Sequence, residues 1–430
     1  MNVAELILQK RHGKELAQAE IEFLIHGYSH GTIPDYQMAA FAMAVCFQGM
    51  SLKETVHFTQ SMVDSGEVMN WAGKSAVGDK HSTGGIGDKV SIPLAPMLAC
   101  CGMTIPMISG RGLGTTGGTL DKLDSIPGYR SEMSCDEFQS IVHWNGCGIA
   151  GASSNLAPAD KKLYALRDVT GTVSSIPLIT SSILSKKAAE GIDALVLDVK
   201  WGTGAFMKSL SDAKQLAESL VTVGNRIGLK TTAIISDMNQ PLGRMIGNAV
   251  EINESVDILQ GNGPDDILEL TLVLGSQLLL DVGLVSSLQD GRNQLQSKID
   301  TGEAYQKFAE MVASHGGDLD AKREIGPSHA VLAVESGYVS RVNAERLGMA
   351  IIEMGGGRRK ITDSIDYSSG IEFLVKIGDR VEIGQPIANL FCNGQQIELA
   401  RELVGASIGI GSHRVEQVKL IVETVARSPG

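Results

Sequence analysis

Two neighbouring segments, PADKKLYALRD (residues 158–168) and SIPLITSSILSKKAAEG (residues 175–191), carry apolar residues at helical spacing. They interrupt a region of different texture, in which glycine-rich loops alternate with short apolar runs such as MTIPMIS (residues 103–109), ALVLDV (194–199) and TTAIIS (231–236). Such runs, separated by helical segments, predict a largely parallel sheet covered by helices. The inserted pair belongs instead with the N-terminal stretch, where residues 1–66 read as helices joined by short turns. There Pro34 opens PDYQMAAFAMAVCFQ, and SLKE (residues 51–54) is a capping box before the next helix. The chain is therefore expected to cross between two lobes several times and to leave a cleft between them.

The expected organisation is an α/β protein: a small all-helical lobe plus a large α/β lobe with a mixed, mainly parallel sheet, and a C-terminal α+β barrel-sandwich-like region. The helical lobe takes residues 1–66 and 158–191, the α/β phosphate-binding domain 70–157 and 192–330, and the C-terminal domain 331–430. In the last of these, VKIGDRVEIGQPIANLF (residues 375–391) reads as a hairpin of the lipoyl or biotinyl type. It lacks a lysine at the modification turn, which points to a structural or assembly role.

A chain of 430 residues, 43% hydrophobic, has ample core for two or three such domains. Its net charge of −12 would repel a polyanion, which argues against nucleic acid as a partner. No apolar run reaches the roughly 18 residues of a membrane span, and a cytoplasmic location is expected. The six cysteines form no CxxC pair and read as reduced, buried small residues. His26 and His30 have helical ligand spacing without a third ligand nearby, so no metal site is expected there.

Two glycine loops carry the first chemical signal. In KHSTGGIGDKVS (residues 80–91) glycines precede an apolar helical run expected to begin near Asp88. Backbone N–H groups and a helix N-terminus favour an anion there, and phosphate is the natural guest. Lys80 adds charge, while Ser82, Thr83 and Ser91 add hydroxyls. The loop SGRGLGTTGGTLDKLDSIPG (residues 109–128) repeats the design, with Ser109 at a strand end and Thr119 opening a short helix. Either loop alone is more often only a tight turn; two beside one sheet edge are expected to enclose one small anion.

The third constellation lies on the inserted helices. Tyr164 and Arg167 are three apart, Ser182 and Lys186 four apart, so each pair shares a helix face. A flat ring, a planar donor fork and two further donors suit a heterocyclic base with carbonyl oxygens. Lysines and arginines on helices are more often solvated, so this set gains its meaning only beside the glycine loops.

Taken together, DKHSTGGIGDK, SGRGLGTTGGTLDKLDSIPG, LYALRDVTGTVSSIPLITSSILSKK, DVKWGTGAFM and NQPLGRMIGNAVE resemble the thymidine and pyrimidine-nucleoside phosphorylase family over practically the whole chain. The resemblance implies phosphorolysis of a pyrimidine nucleoside, thymidine or deoxyuridine first and uridine as well. Products would be free base and pentose 1-phosphate, with inorganic phosphate as co-substrate and no cofactor. It also implies a homodimer formed through the helical lobe. Position by position it assigns Lys80, Ser82, Ser91, Ser109 and Thr119 to phosphate, and Arg167, Ser182 and Lys186, beside Tyr164, to the base. Leu113 and Phe206 become an apolar wall, and His81 a general acid beside Lys186 and Arg167. Met107 matches the thymidine-preferring type.

Some positions depart from the pattern. Thr115 stands where histidine is usual, Asp124 replaces a glutamate, and Trp201 is bulkier than usual. A monovalent cation site of the family corresponds to Gly87, Lys89, Leu242, Met245 and Glu254, where Lys89 is expected to supply the positive charge itself. Two rival readings remain at this stage: a phosphoribosyltransferase of the anthranilate type, for which Asp121 and Asp124 would hold metal, and a non-catalytic nucleoside-binding protein.

Overall fold

The computed structural model describes residues 1–430 except 113, 116, 361, 395 and 427–430. Its N-terminal helices are α1 (Val3–Arg11), α2 (Gln18–Ser29), α3 (Asp35–Gln48) and α4 (Leu52–Val63). The capping box forms at the start of α4: the Glu54 N–H donates to Ser51 Oγ at 3.2 Å, and the Ser51 N–H to Glu54 Oε2 at 2.8 Å. The inserted segments form α8 (Pro158–Thr170) and α9 (Ile176–Ala189). Ala159, Leu163 and Leu178 join Phe41, Phe58 and Met62 in the core of this helical lobe. Further along α9, Ile183, Leu184 and Ala189 belong to the core of the α/β lobe instead. Thus α9 is wedged between lobes, and the face carrying Ser182 and Lys186 meets the cleft between them.

The main sheet has the order β1 (Gly78–Ser82), β4 (Ala194–Trp201), β5 (Lys230–Asp237), β13 (Ile421–Val425). The first three strands are parallel, and the C-terminal strand adds antiparallel to β5. Strands β2 (Ile105–Ser109) and β3 (Cys147–Gly151) pair in parallel, and a bridge between Val77 and Thr104 ties them to the main sheet. Helices α5 (Ser91–Cys100), α6 (Thr119–Leu123), α7 (Cys135–Asn145), α10 (Leu210–Arg226), α11 (Ala249–Leu259), α12 (Asp265–Asp281), α13 (Leu288–Asp300) and α14 (Glu303–Ser314) complete this lobe. Strand β4 is buried over seven of its eight residues, as expected when both faces of a parallel sheet are covered. Charged groups are nonetheless buried toward the carboxyl ends of the strands: Lys80, Asp198, Lys200 and Asp237. In open α/β sheets this is the end where ligands bind.

The C-terminal region contains β6 (Met245–Gly247), β7 (Ser328–Leu332), β9 (Gly370–Phe373) and β11 (Pro386–Phe391) in one antiparallel sheet of order β6-β9-β11-β7. A second sheet has β8 (Gly337–Val342) between β10 (Arg380–Val381) and β12 (Ile408–Gly411), with α15 (Ala344–Glu353) and α16 (Ile397–Gly405) alongside. The hairpin expected over residues 375–391 does not form. The tight turn is present, with Gly384 at φ +82°, but β10 pairs with β8 while β11 pairs with β9 and β7. The turn passes the chain from one sheet to the other, a distinction invisible to alternation within the segment.

A smaller correction concerns the first glycine loop. Helix α5 starts at Ser91, not near Asp88, because the Asp88 carboxylate is engaged with Ser82 and the backbone stays in the loop. All six cysteines are free, but only Cys147 and Cys392 are buried as expected; Cys46, Cys100, Cys101 and Cys135 are partly exposed. His26 and His30 stack with ring centroids 4.1 Å apart, and no metal-ligating cluster of three His, Cys, Asp or Glu occurs among the described residues.

Candidate active site

A cleft of about 1850 Å³ lies between the lobes and is lined by both glycine loops and by α8 and α9. On the α/β side it is lined by Lys80, His81, Ser82, Asp88, Ser91, Ser109 and Thr119; on the helical side by Tyr164, Arg167, Ser182 and Lys186. Phe206 projects into it from the loop after β4, 45% exposed. The first loop is built on the end of β1. Lys80 is buried, its Nζ 3.4 Å from Ser91 Oγ and 3.8 Å from Asp88 Oδ1. Burial lowers the Lys80 pKa, with Asp88 and Asp198 opposing part of that. The Ser82 hydroxyl donates to Asp88 Oδ2 at 2.5 Å and accepts from the Gly84 N–H at 3.1 Å.

Beneath this loop lies a second buried charge layer. Lys200 Nζ sits 2.7 Å from Asp198 Oδ2 and 3.8 Å from Asp88 Oδ2. A Cβ on Gly85 would come within 2.8 Å of the Lys200 side chain, so only glycine lets the loop rest directly on it. Burial opposes ionisation of Asp88, but Lys200, Lys80, Lys122 and the Ser82 hydroxyl reverse this and hold its carboxyl well below the usual range. The result is an ionised carboxylate held between Lys80, on the cleft wall, and Lys200 beneath it.

His81 follows Lys80 and opens onto the cleft. Burial, then the ammonium groups of Lys187, Lys186 and Lys80, push its pKa well below the ordinary histidine value, so the imidazole is neutral near pH 7. Lys187 itself is fixed from behind by Asp79 Oδ2 at 2.5 Å, Glu190 Oε1 at 2.7 Å and the Ile108 carbonyl at 2.8 Å.

Across the cleft, Lys186 Nζ donates to Asp160 and, at 3.0 Å, to Ser182 Oγ; it stands 6.0 Å from the centroid of the Tyr164 ring. The other oxygen of Asp160 has no partner. Arg167 is buried and turned onto the α8–α9 connection, donating to the carbonyls of Thr172 at 3.2 Å, Leu178 at 3.0 Å and Val173 at 2.7 Å. Three of its five N–H groups are thereby committed.

The remaining expected positions divide. Leu113 lies outside the described residues. Met107 is fully buried in the core of the α/β lobe and does not line the cleft, whereas its neighbour Ile108 does. Strand alternation explains the difference, and any influence of Met107 on a ligand must pass through packing. Lys89 Nζ donates to Glu254 Oε2 at 2.6 Å and to the carbonyls of Met245 at 3.0 Å and Leu242 at 3.3 Å, beside the close approach of Gly87 to Leu242. Asp124 accepts from Arg111 Nη1 at 2.6 Å, and the Trp201 indole N–H has no partner.

Sequence reasoning missed Asp88, Asp160 and Lys200. Asp160 reads as an ordinary acidic residue in the first turn of a helix, and Asp88 as a loop residue. The one available signal was Lys200, a charge ending an otherwise apolar strand run.

Comparison with known proteins gives the family. Residues 74–305 match the family model described as the glycosyl transferase family a/b domain, and residues 4–66 the helical bundle domain of that family. Residues 338–411 match the pyrimidine nucleoside phosphorylase C-terminal domain. The chain is 46% identical to the pyrimidine-nucleoside phosphorylase of Geobacillus stearothermophilus, over 99% of its own length and all of that protein. It belongs to the pyrimidine-nucleoside phosphorylase family. The phosphorylase of Bacillus subtilis strain 168 is likewise 46% identical, over 93% of this chain and 94% of that one. The crystal structure of anthranilate phosphoribosyltransferase from Thermus thermophilus superposes with a TM-score of 0.60, covering 73% of this chain and 99% of that one. At 16% identity this likeness shows a shared fold. The phosphorylase family membership rests instead on full-length sequence identity, including the C-terminal domain.

Proposed function

We propose that the protein catalyses the reversible phosphorolysis of pyrimidine nucleosides. A phosphate oxygen forms a bond to the anomeric carbon of the sugar, the glycosidic C–N bond breaks, and the base leaves with the electron pair. Products are a pentose 1-phosphate and, after protonation, the free pyrimidine. The observation that carries this reading is the two-sided cleft of a phosphorylase-family chain: Lys80, Ser82, Ser91, Ser109 and Thr119 on one wall, and Tyr164, Arg167, Ser182 and Lys186 on the other. The first set suits the nucleophile and the second the base.

Charge builds in opposite senses during the reaction, positive on the sugar ring and negative on the base. Phosphate meets the first, while the Lys186 ammonium and the Arg167 guanidinium meet the second. Neutral His81 is a poor acid while the phosphate site is empty. A phosphate anion beside Lys80 offsets the three ammonium groups that depress its pKa and returns the imidazole toward protonation. The cleft exceeds the roughly 300–1,000 Å³ of a fitted ligand pocket. Approach of the lobes therefore accompanies binding, bringing nucleophile and base together and excluding water.

Phosphate is a co-substrate and no cofactor enters the reaction. Lys89 takes the place of a monovalent cation. The exposed side chains of Tyr36, Met43 and Phe47, on one face of α3, support a homodimer through the helical lobe. A cytoplasmic setting suits the reaction, and no helix among the described residues is long and apolar enough to cross a membrane. The domain boundaries proposed are those anticipated above, with α8 and α9 assigned to the helical lobe. Purified protein incubated with thymidine, deoxyuridine or uridine should release free base only when phosphate is present. Base release without phosphate, tight nucleoside binding without turnover, or activity only with phosphoribosyl diphosphate and magnesium would each overturn the proposal.

A further inference from the structure

We propose that Asp88 makes this site selective for phosphate over fully ionised tetrahedral anions such as sulfate, by accepting a hydrogen bond from the protonated oxygen of phosphate. The inference rests on the phosphate site proposed above. Placing a carboxylate on the floor of an anion site is at first sight counterproductive, since it repels any anion bound by Lys80 and Ser82. Yet Asp88 is integral to that floor: its two oxygens engage Ser82 Oγ at 2.5 Å and approach Lys80 Nζ and Lys200 Nζ at 3.8 Å each. It also lines the cleft directly. An anion touching both Lys80 Nζ and Ser82 Oγ binds two groups that themselves lie within 3.8 Å of the Asp88 carboxylate.

Hydrogen-bond accounting resolves the conflict for phosphate alone. Ser82 has one hydroxyl proton, now given to Asp88. Asp88 Oδ1 keeps the Val90 N–H at 3.4 Å, but when an anion arrives and Ser82 turns its proton to an anion oxygen, Oδ2 loses its hydrogen-bond donor unless the anion supplies another. Monohydrogen phosphate supplies one through its own O–H; sulfate has no proton near neutral pH and supplies none. Phosphate thus exchanges one O–H donor to Asp88 for another, whereas sulfate either leaves the carboxylate facing an anion or goes without Ser82. Lys80, Lys200 and Lys122 keep Asp88 ionised, so it serves as an acceptor only. A charge-assisted hydrogen bond for one anion, replaced by repulsion for the other, amounts to a preference of at least about tenfold.

Calorimetric titration of phosphate, arsenate and sulfate into the wild-type protein and into Asp88→Asn and Asp88→Glu tests this. In the wild type, phosphate and arsenate, which also carries a proton, should bind at least about tenfold more tightly than sulfate. In Asp88→Asn, whose amide can donate to sulfate, the phosphate-to-sulfate ratio should fall toward one, while arsenate moves with phosphate. Asp88→Glu, retaining the charge, should preserve the preference. Equal wild-type affinity for phosphate and sulfate overturns the proposal, and this holds even if the Asn variant does not fold. An unchanged ratio in Asp88→Asn, or an equal loss for all three anions, overturns it too, since either marks a merely structural role. None of these measurements requires turnover, so failure here is distinct from a failure to detect phosphorolysis.

Discussion

Lys186 is the side chain on which the base wall turns. It is anchored to Asp160 and Ser182, and in the proposed phosphorolysis this holds the ammonium where negative charge would develop on the departing base. Lys186→Ala removes that stabilisation and strands the Asp160 carboxylate, whose second oxygen already lacks a partner. A loss of roughly 10³-fold in kcat/KM is expected from steady-state phosphorolysis, at the upper end of a single preorganised donor. His81→Gln should cost less, nearer roughly 10²-fold, because burial and the ammonium groups of Lys187, Lys186 and Lys80 disfavour the protonated imidazole that a general acid needs. An equal or larger loss at His81 would contradict this ranking. The same variant has a signature in stability. Wild-type His81 stays neutral when folded but takes up a proton in the unfolded chain below about pH 6.5, so folding loses stability as pH falls through that value. Thermal unfolding of His81→Gln should show a weaker decline in Tm over that acid range than the wild type.

At the scale of elements, the second glycine loop is held in place by the C-terminal domain. The Gly114 N–H donates to the Arg358 carbonyl at 3.0 Å, and Arg358 Nη1 reaches Asp121 Oδ1 at 2.7 Å. Helix α15 lies directly on the loop: a Cβ on Gly348 would stand 2.1 Å from the Thr115 carbonyl oxygen and 2.9 Å from Ile86. Gly348→Ala should push the loop away from Ser109 and Thr119. The expected outcome is a rise of roughly tenfold in KM for phosphate, with about 1–3 kcal/mol lost in denaturant unfolding. A second tie is Lys89, which joins the first loop to the turn before β6 and to Glu254 of α11. Wild-type activity should be indifferent to potassium. Lys89→Thr removes the counter-charge of the buried Glu254 carboxylate, which keeps only the N–H groups of Arg244 and Met245, and strips the donor from two carbonyls, at a cost of about 3–5 kcal/mol. Potassium should restore part of that loss in a Tm measurement, and no other variant described here should respond to it.

Over the whole molecule, three chain passages between lobes and one strand from the far C-terminus, β13, build a single cleft. The face of α3 bearing Tyr36 and Phe47, 75% and 79% exposed, is the surface a second copy would cover. Light scattering should give about twice the 45.6 kDa chain mass, and Tyr36→Glu with Phe47→Glu should halve it. The helical lobe, the parallel sheet and both glycine loops were legible in the sequence, because periodicity, capping residues and glycine runs are local properties. So were Lys80, Ser82, Ser91, Arg167 and Lys186, whose motifs are contiguous. Asp88, Asp160 and Lys200 were not: each acts on a partner that the fold brings close, and a lone carboxylate or lysine carries no spacing signal. The crossing of residues 375–391 between two sheets, and the burial of Met107, also depended on which neighbours the rest of the chain supplied. Local sequence thus determined the elements and the cationic and hydroxyl groups of the cleft. Only tertiary structure decided their charge states and which oxygen meets which proton, since burial and pairing are set by residues distant along the chain.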